Sequence, residues 1–249
     1  MSTITVEKNN NIARVVMNKP PLNVLDIAMM EELDAALKSL KGDHASKVVV
    51  IAAQGKAFSA GVDIADHTPD KVERMIHVFH GIFHTMWSLE QPIVAAVQGA
   101  ALGGGCEVAI ACDFIVASEK AKFAQPEIKV GVFAPIATLL LPRLIGRMHA
   151  NELLLTGEAI DARQAERIGL VNMVAPLESF EEQLNAFVGK LTALSGVVLK
   201  MSKRAITLGL EQGLDAIEKY YLNDLMQTQD AVEGLNAFME KRSPVWKNK

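Results

Sequence analysis

The 249-residue sequence has only two cysteines, no long apolar run and no N-terminal apolar segment typical of a signal peptide. Cys106 and Cys112 do not have the CxxC spacing of zinc and redox sites. A membrane-spanning helix needs about 20 consecutive apolar residues, and no run approaches that length. The first ten residues, MSTITVEKNN, are polar. These absences predict a cytoplasmic protein in a reducing compartment, without a membrane partner.

The sequence also lacks a basic face and the glycine motifs that hold nucleotide phosphates. The formal net charge is −4 and charges of both signs are interspersed, which argues against nucleic acid as a partner. Neither the dinucleotide fingerprint GxGxxG nor the phosphate loop GxxxxGKS/T occurs. The glycine-rich segments that are present therefore suggest a different kind of ligand.

Half of the residues are hydrophobic, so the chain can bury the core of one large domain. Apolar runs typical of strands occur at 12–17, 47–53, 93–98 and 113–117, and helical spacing occurs at 27–40, 70–89 and 104–112. Alternating strands and helices predict an α/β fold with a mostly parallel sheet. From about Pro135 the pattern is nearly all helical, which indicates a lid or an oligomer-forming arm.

The triple-glycine junction Gly103–Gly105 joins a β-type run to a helical run. Such a junction offers unpaired backbone N–H groups to an anion. A second glycine-containing loop, at residues 56–64, follows the strand at 47–53. Because α/β proteins usually hold ligands at the carboxyl ends of parallel strands, we expect the two loops to meet. Two N–H groups converging on one oxygen would form an oxyanion hole, which stabilises negative charge on a carbonyl oxygen.

Two glutamates accompany these loops. Glu107 lies on an otherwise apolar helix, where burial would raise its pKa, and Glu127 precedes Gly131 in a short loop. Two carboxyls beside an oxyanion hole form an acid/base pair suited to moving water across a double bond. Taken singly, each feature also fits a structural role: close packing for the glycines, a helix-dipole contact for Glu107 and a surface position for Glu127.

Two other groups are better explained as structural. Ser59 lies in AFSAG, which lacks the first glycine of the GxSxG nucleophile elbow. His77, His80 and His84 share a helical face by spacing. Without an HExxH pattern or a nearby set of carboxylates, we expect a polar or pocket-lining face there and no metal site.

Several segments, taken in combination, match the signatures of a known family. They are NKP with LN at 18–23, KAFSAGVDI at 56–64, AALGGGCE at 100–107, FAQPE at 123–127, LTG at 155–157, residues 165–171, and EG with AFMEKR at 233–242. On these segments the chain resembles the crotonase (enoyl-CoA hydratase/isomerase) superfamily over nearly its whole length. The resemblance implies a crotonase-like spiral of ββα repeats at residues 1–190 and a C-terminal helical trimerisation region at residues 191–249.

The resemblance also implies a substrate, an assembly and a set of site residues. The substrate would be an acyl-CoA thioester, with no cofactor beyond the coenzyme A that it carries, and the assembly a homotrimer or homohexamer. The implied catalytic groups are the backbone N–H groups of Val62 and Gly104, as the oxyanion hole, and the side chains of Glu107 and Glu127. The implied coenzyme A contacts are Lys56, Ala60, Asp63, Ile64, Phe238 and Lys241, the last two reaching the ligand of a neighbouring subunit.

One segment departs from the family pattern. After the glycine that matches Gly131, hydratases of the family usually carry a Pro-Gly-x-Gly-Gly-Thr/Ser-Gln segment, whereas residues 132–140 here are VFAPIATLL. Without those glycines, we expect apolar side chains to form the wall beside the acyl group. The segment resembles that of hydratases acting on cyclic dienoyl-CoA thioesters in anaerobic aromatic degradation.

The sequence therefore predicts reversible hydration of an α,β-unsaturated acyl-CoA. It does not assign which glutamate is the base and which the acid. Double-bond isomerisation and thioester hydrolysis keep the same oxyanion hole and are alternative reactions. A catalytically silent CoA-binding scaffold subunit is the alternative suggested by the altered segment.

Overall fold

The computed structural model describes residues 2–207 and 210–245, with the backbone alone at residues 211–212. The strands within these ranges are β1 Ile4–Asn9, β2 Ile12–Met17, β3 Val48–Ala53, β4 Ala57–Ser59, β5 Ile93–Val97, β6 Ala100–Leu102, β7 Phe114–Ser118, β8 Lys122–Ala124, β9 Ile160–Asp161 and β10 Met173–Ala175. The helices are α1 Ile27–Lys38, α2 Val72–Ser88, α3 Gly104–Ile110, α4 Pro135–Leu144, α5 Gly146–Thr156, α6 Ala162–Arg167, α7 Phe180–Thr192, α8 Gly196–Thr207, α9 Leu210–Asn223 and α10 Gln229–Met239. Short 3-10 turns occur at Ile64–Asp66, Pro126–Val130, Leu177–Ser179 and Leu225–Gln227.

The strands form two sheets. The larger sheet has the order β1-β2-β3-β5-β7-β10, and its neighbours are parallel except for the antiparallel pair β1-β2. The smaller sheet has the order β4-β6-β8-β9, in which β4, β6 and β8 are parallel and β9 is antiparallel to β8. The predicted α/β fold with mostly parallel pairing is confirmed.

A ββα unit recurs along the chain. β3, β5 and β7 lie in the larger sheet, the strands that directly follow them lie in the smaller sheet, and α2, α3 and α4 complete the units. This is the spiral that the resemblance implied. The second strand of each unit was not predicted, because three residues are too few to show a period of two. Residues 56–64, interpreted as a loop, thus contain β4.

The larger sheet is buried on both faces. Val49 and Ile51 of β3 belong to the core layer that α1 and α2 cover, whereas Val48 and Val50 belong to a second layer with Leu184 of α7. A strand buried on both faces has no solvent side that requires polar residues. The sequence of β3, VVVIAA, is therefore continuously apolar instead of alternating.

The C-terminal helices cover the core of the same chain. α9 packs on α2 and α4, and α10 packs on the turns Ile64–Asp66 and Pro126–Val130. α7 packs on β3 and β7, so it belongs with the larger sheet although it extends past residue 190. The division of the chain into residues 1–190 and 191–249 stays a prediction.

The histidine face of α2 contacts α9. His77 and His80 lie 3.1 Å and 2.6 Å from the carboxylate of Glu218, and His84 lies 3.8 Å from that of Asp215. Across residues 2–207 and 210–245, no group of three or more His, Cys, Asp or Glu side chains is placed to hold a metal ion. The shared face predicted from the sequence is thus a polar contact between two helices.

A bent helix pair follows the last strand. No single helix among the described residues is long and apolar enough to cross a bilayer. The segments Leu177–Thr192 and Gly196–Thr207 reach the required length and apolar composition only when they are counted as one span. They are bent by 97° relative to each other. The second member carries Lys203, which is buried against the core.

Lys203 fastens α8 to the body of the fold. It is 4% exposed, and its Nζ donates to the carbonyl oxygens of Met86 and Gln91 at 3.1 Å and 2.9 Å. Its Nζ also lies 3.0 Å from Oδ2 of Asp113, which accepts a hydrogen bond from the N–H of Ile93. Loss of the ammonium group would leave a carboxylate and two carbonyl oxygens without their partner.

The replacement Lys203→Ala is expected to lower the free energy of unfolding by about 3 kcal/mol, because it breaks a buried ion pair from one side. The matched control is Lys200→Ala on the preceding turn of α8, which removes a 3.5 Å pair with the half-exposed Glu90. That change should cost less than about 1 kcal/mol. Urea unfolding followed by circular dichroism measures both values, and equal destabilisation would contradict the anchoring role of Lys203.

Candidate active site

The parallel strands of the smaller sheet end side by side. In the register of the sheet, Ser59 of β4 pairs with Ala101 of β6, and Leu102 of β6 pairs with Ala124 of β8. The segments that follow these strands are residues 60–62, 103–104 and 125–127. The two glycine loops were expected to meet at the carboxyl ends of parallel strands. They do meet, but at the smaller sheet, because short strands intervene after β3 and β5.

Asn23 and Ser59 hold the first loop in place. Asn23 is fully buried, and its Nδ2 donates to the carbonyl oxygens of Gln54 and Ala57, both at 2.9 Å. Ser59 Oγ donates to the carbonyl oxygen of Asn23 at 2.7 Å and accepts a hydrogen bond from the N–H of Gly61 at 3.1 Å. The serine hydroxyl is thus used inside the fold, which confirms the structural interpretation of Ser59.

Two glycines allow the first two loops to touch backbone to backbone. Gly61 has φ +104° and Gly103 has φ +51°, conformations that other residues rarely adopt. A Cβ atom on Gly61 would lie 2.9 Å from the carbonyl oxygen of Leu102 and 3.4 Å from the nitrogen of Gly104. Within the described ranges, the N–H groups of Val62 and Gly104 make no hydrogen bond. Two unused donors from different loops therefore lie close together.

Glu107 is buried in the first turn of α3 with 2% of its surface exposed. Its Oε1 accepts a 3.0 Å hydrogen bond from the N–H of Ala137, in the first turn of α4. Burial raises the pKa of this carboxyl, and backbone donors at Ile136 and Ala137 oppose part of that effect. The sequence-based expectation of a buried glutamate with a raised pKa is confirmed.

Glu127 approaches the same space from the turn Pro126–Val130. A Cβ atom on Gly103 would lie 2.6 Å from Oε1 of Glu127, so the glycine leaves room for this carboxyl. Glu127 Oε2 is buried and has no hydrogen-bond partner in the described part of the chain. Burial raises the pKa of Glu127, and the neighbouring charge of Glu107 raises it further. Two interacting carboxyls of this kind favour a state in which the pair holds one proton.

Both carboxyls and both residues with unused N–H groups line a cavity of about 450 Å³. The expected site residues that line it are Ala60, Val62, Ile64, Gly104, Glu107, Glu127 and Phe238. The expected residues Lys56, Asp63 and Lys241 lie outside this lining. The Asp63 side chain instead accepts a hydrogen bond from the N–H of Ala65 and caps the turn Ile64–Asp66, while Lys56 and Lys241 are exposed.

Phe238 lies at the cavity of its own chain. The packing of α10 on the turns Ile64–Asp66 and Pro126–Val130 of the same chain places it there. The resemblance implied that it reaches the ligand of a neighbouring subunit, and that reach stays a prediction. The side chain lines the cavity while 53% of its surface remains exposed, so it stands at the rim.

Two aromatic residues of the cavity, Phe79 and Tyr221, were not expected from the sequence, whereas Phe133 belongs to the segment expected to form an apolar wall. Phe133 comes from the altered segment and Tyr221 from α9, with ring centroids 5.3 Å apart and an interplanar angle of 82°. Val132, Ala134 and Pro135 extend this wall, so the apolar wall expected of the segment is present. No local motif marks Tyr221, because only the packing of α9 on α2 and α4 brings it to the cavity.

Comparisons with known proteins agree with this geometry. The family model for enoyl-CoA hydratase/isomerase matches residues 7–249. The cyclohexa-1,5-dienecarbonyl-CoA hydratase of Thauera aromatica is 37% identical over 254 residues, covering 99% of this chain and 96% of that protein. A probable enoyl-CoA hydratase of Rhizobium meliloti (strain 1021) is 40% identical over 255 residues, covering 99% of this chain and 98% of that protein.

A solved structure agrees in fold. The crystal structure of an enoyl-CoA hydratase from Mycobacterium avium subsp. paratuberculosis K-10 matches with a TM-score of 0.87 and 29% identity, covering 99% of each chain. This likeness confirms the crotonase-like fold class, including the C-terminal helices. On the family match and the identity to its relatives, the chain belongs to the enoyl-CoA hydratase/isomerase family, the crotonase superfamily.

Proposed function

We propose that this protein is an enoyl-CoA hydratase, which adds water reversibly across the α,β double bond of an acyl-CoA thioester. The observation that carries the proposal is the meeting of two carboxyls of raised pKa, Glu107 and Glu127, with two unused backbone donors at one cavity. The family match and the names of the relatives support it. Coenzyme A enters as part of the substrate, and this chemistry requires no further cofactor.

The N–H groups of Val62 and Gly104 would form the oxyanion hole. When water adds to the β-carbon, electron density moves through the double bond to the thioester oxygen, which becomes negative as in an enolate. Two donors fixed before the reaction stabilise that charge without reorganising. Each such donor commonly contributes about 3 kcal/mol of barrier stabilisation.

The glutamate pair would move the protons. One carboxylate takes a proton from the attacking water while the oxygen bonds to the β-carbon, and the other carboxyl delivers a proton to the α-carbon. The reaction therefore needs one ionised and one protonated member. Burial raises the pKa of both Glu107 and Glu127, which favours this half-protonated state.

The acyl group is proposed to be compact and cyclic, as in a cyclic dienoyl-CoA thioester of aromatic degradation. Phe133 and Tyr221 close one side of the cavity with their rings, and the residues flanking Phe133 are apolar. Such a wall suits a flat hydrocarbon ring better than a long flexible chain. The name of the Thauera aromatica relative, a cyclohexa-1,5-dienecarbonyl-CoA hydratase, supports this choice.

The remaining expected contacts are proposed to hold coenzyme A. Ala60, Ile64 and Phe238 line the cavity and would flank the arm that carries the thioester. Lys56 and Lys241 are exposed cations, suited to the phosphates of the nucleotide end. Asp63 would act on the first loop through its contact with the N–H of residue 65.

Assembly as a homotrimer or homohexamer is also proposed. Met148 and Leu155 on α5 are 75% and 67% exposed, and Val197 and Met201 on α8 are 68% and 69% exposed. Large apolar side chains this exposed favour contacts between subunits. α8 lies within the region to which the resemblance assigns trimerisation.

A panel of linear and cyclic enoyl-CoA and dienoyl-CoA thioesters tests the reaction and the substrate together. We expect hydrated products, with the highest kcat/KM for a cyclic dienoyl-CoA because of the aromatic wall. Mass spectrometry detects the added water, and NMR locates the new hydroxyl group. A moved double bond without added oxygen would identify an isomerase, released coenzyme A a hydrolase, and binding without turnover a scaffold subunit.

The replacements Glu107→Gln and Glu127→Gln are each expected to lower kcat by about 10²- to 10⁴-fold with little change in KM, because an amide transfers no proton. Steady-state hydration assays measure the effect. Glu119→Gln is the matched control, since Glu119 is a half-exposed surface residue paired with Lys120. Hydration at the wild-type rate by either active-site variant would contradict the proposed roles.

The pH profile of kcat/KM is expected to be bell-shaped, with its maximum near neutral pH. Below the lower apparent pKa of the pair both carboxyls are protonated and no base remains, and above the higher one both are ionised and no acid remains. The maximum lies above the ordinary range of glutamate because burial raises the pKa of both Glu107 and Glu127. Activity that rises through the ordinary glutamate pKa and then stays constant would contradict a shared proton.

A further inference from the structure

Tyr221 is a buried aromatic residue at the same cavity as the glutamate pair. It lies on α9, is 1% exposed and lines the cavity. Its ring meets Phe133 edge to face at 5.3 Å, and Phe133 is itself stacked on Tyr220 at 5.9 Å. These contacts fix the plane of the Tyr221 ring and therefore the direction of its hydroxyl group.

The hydroxyl of Tyr221 makes no hydrogen bond to residues 2–207 and 210–245. It is not among the sealed polar atoms that lack a partner, so it opens on the cavity that the residue lines. A tyrosine hydroxyl in that position keeps its donor for a molecule that enters the cavity. Burial raises the pKa of Tyr221, and the charges of Glu107 and Glu127 raise it further. The phenol is therefore a neutral O–H donor at the cavity that both carboxyls line.

We propose that Tyr221 is a catalytic residue whose O–H donates a hydrogen bond to the oxygen that moves between water and the β-carbon. The assignment rests on the proposed hydration. During the step, the water O–H bond breaks towards one glutamate, the new C–O bond forms, and the other glutamate supplies the proton of the new C–H bond. Tyr221 keeps its proton throughout.

The tyrosine complements the two glutamates in a specific way. The ionised glutamate only accepts a hydrogen bond from water, and the protonated glutamate holds its proton for the α-carbon, so neither directs the lone pairs of the water oxygen. A hydrogen-bond donor that contacts one lone pair of the water oxygen directs the second lone pair towards the β-carbon. In the reverse reaction, the same donor stabilises the departing hydroxyl oxygen as the C–O bond breaks.

The replacement Tyr221→Phe removes the hydroxyl and keeps the ring against Phe133. We expect kcat for hydration to fall about tenfold or more, with KM and the melting temperature little changed. Tyr220→Phe is the matched control, because Tyr220 is the neighbouring residue, stacks on the same Phe133 and is 61% exposed outside the cavity lining. That variant should retain the wild-type kcat.

A binding measurement separates a direct contact from a packing effect. Calorimetry would compare the hydroxyacyl-CoA product formed by the wild-type enzyme with the saturated acyl-CoA of the same carbon skeleton. We expect Tyr221→Phe to weaken binding of the hydroxyacyl-CoA severalfold and to leave the saturated acyl-CoA unaffected, since only the former carries the oxygen.

The outcomes distinguish this assignment from the proposed function. Wild-type kcat in Tyr221→Phe, or equal weakening of both ligands, would overturn the role of Tyr221 while the wild-type enzyme still hydrates its substrate. Absence of hydration by the wild-type enzyme across the thioester panel would overturn the proposed function and the assignment with it. A selective loss in Tyr221→Phe, together with an unaffected Tyr220→Phe, supports the assignment.

Discussion

The backbone contact between the loops that follow β4 and β6 is the constraint on which the rest of the site depends. Gly61 lies so close to the carbonyl oxygen of Leu102 that no side chain fits between them. This approach brings the N–H of Val62 near the N–H of Gly104, so the two unused donors can act on a single oxygen. The loops are held by the parallel pairing of β4, β6 and β8, which is why the donors are in position before any charge develops.

Burial of two carboxyls in one cavity opposes folding, and the fold offsets only part of that cost. Glu107 receives a hydrogen bond from Ala137 at the N-terminus of α4, where unpaired N–H groups and the helix dipole favour negative charge. α4 begins with Pro135, whose fixed φ suits the first position of a helix. The altered segment thus changes the wall of the cavity and still supplies a backbone donor to the glutamate. Glu127 lacks such a donor for Oε2, which agrees with its strongly raised pKa.

The two glutamates proposed to carry the chemistry could be predicted because each lies in a contiguous motif beside a strand. Glu107 and Glu127 were expected at one site from their motifs, and they do line one cavity. Of the larger sheet, β2, β3, β5 and β7 were predicted, whereas β1 was not. The strands of the smaller sheet were missed because three residues show no periodicity and their pairing is decided by contacts distant in sequence. Tyr221 was missed for a related reason. An aromatic residue on an amphipathic helix has the same local pattern whether it faces a core or a cavity.

The C-terminal helices are part of the site although they carry neither proposed acid nor base. Tyr221 on α9 and Phe238 on α10 supply wall and rim to a cavity whose proposed oxyanion donors and glutamates all come from the ββα core. The raised pKa of each glutamate is caused mainly by burial, and burial requires those walls to be closed. The contact of His80 with Glu218 fastens α9, which carries Tyr221, and would therefore act on the proposed proton chemistry at a distance. It holds in place a wall of the cavity in which Glu107 and Glu127 are buried, and that burial is what raises the pKa of both carboxyls.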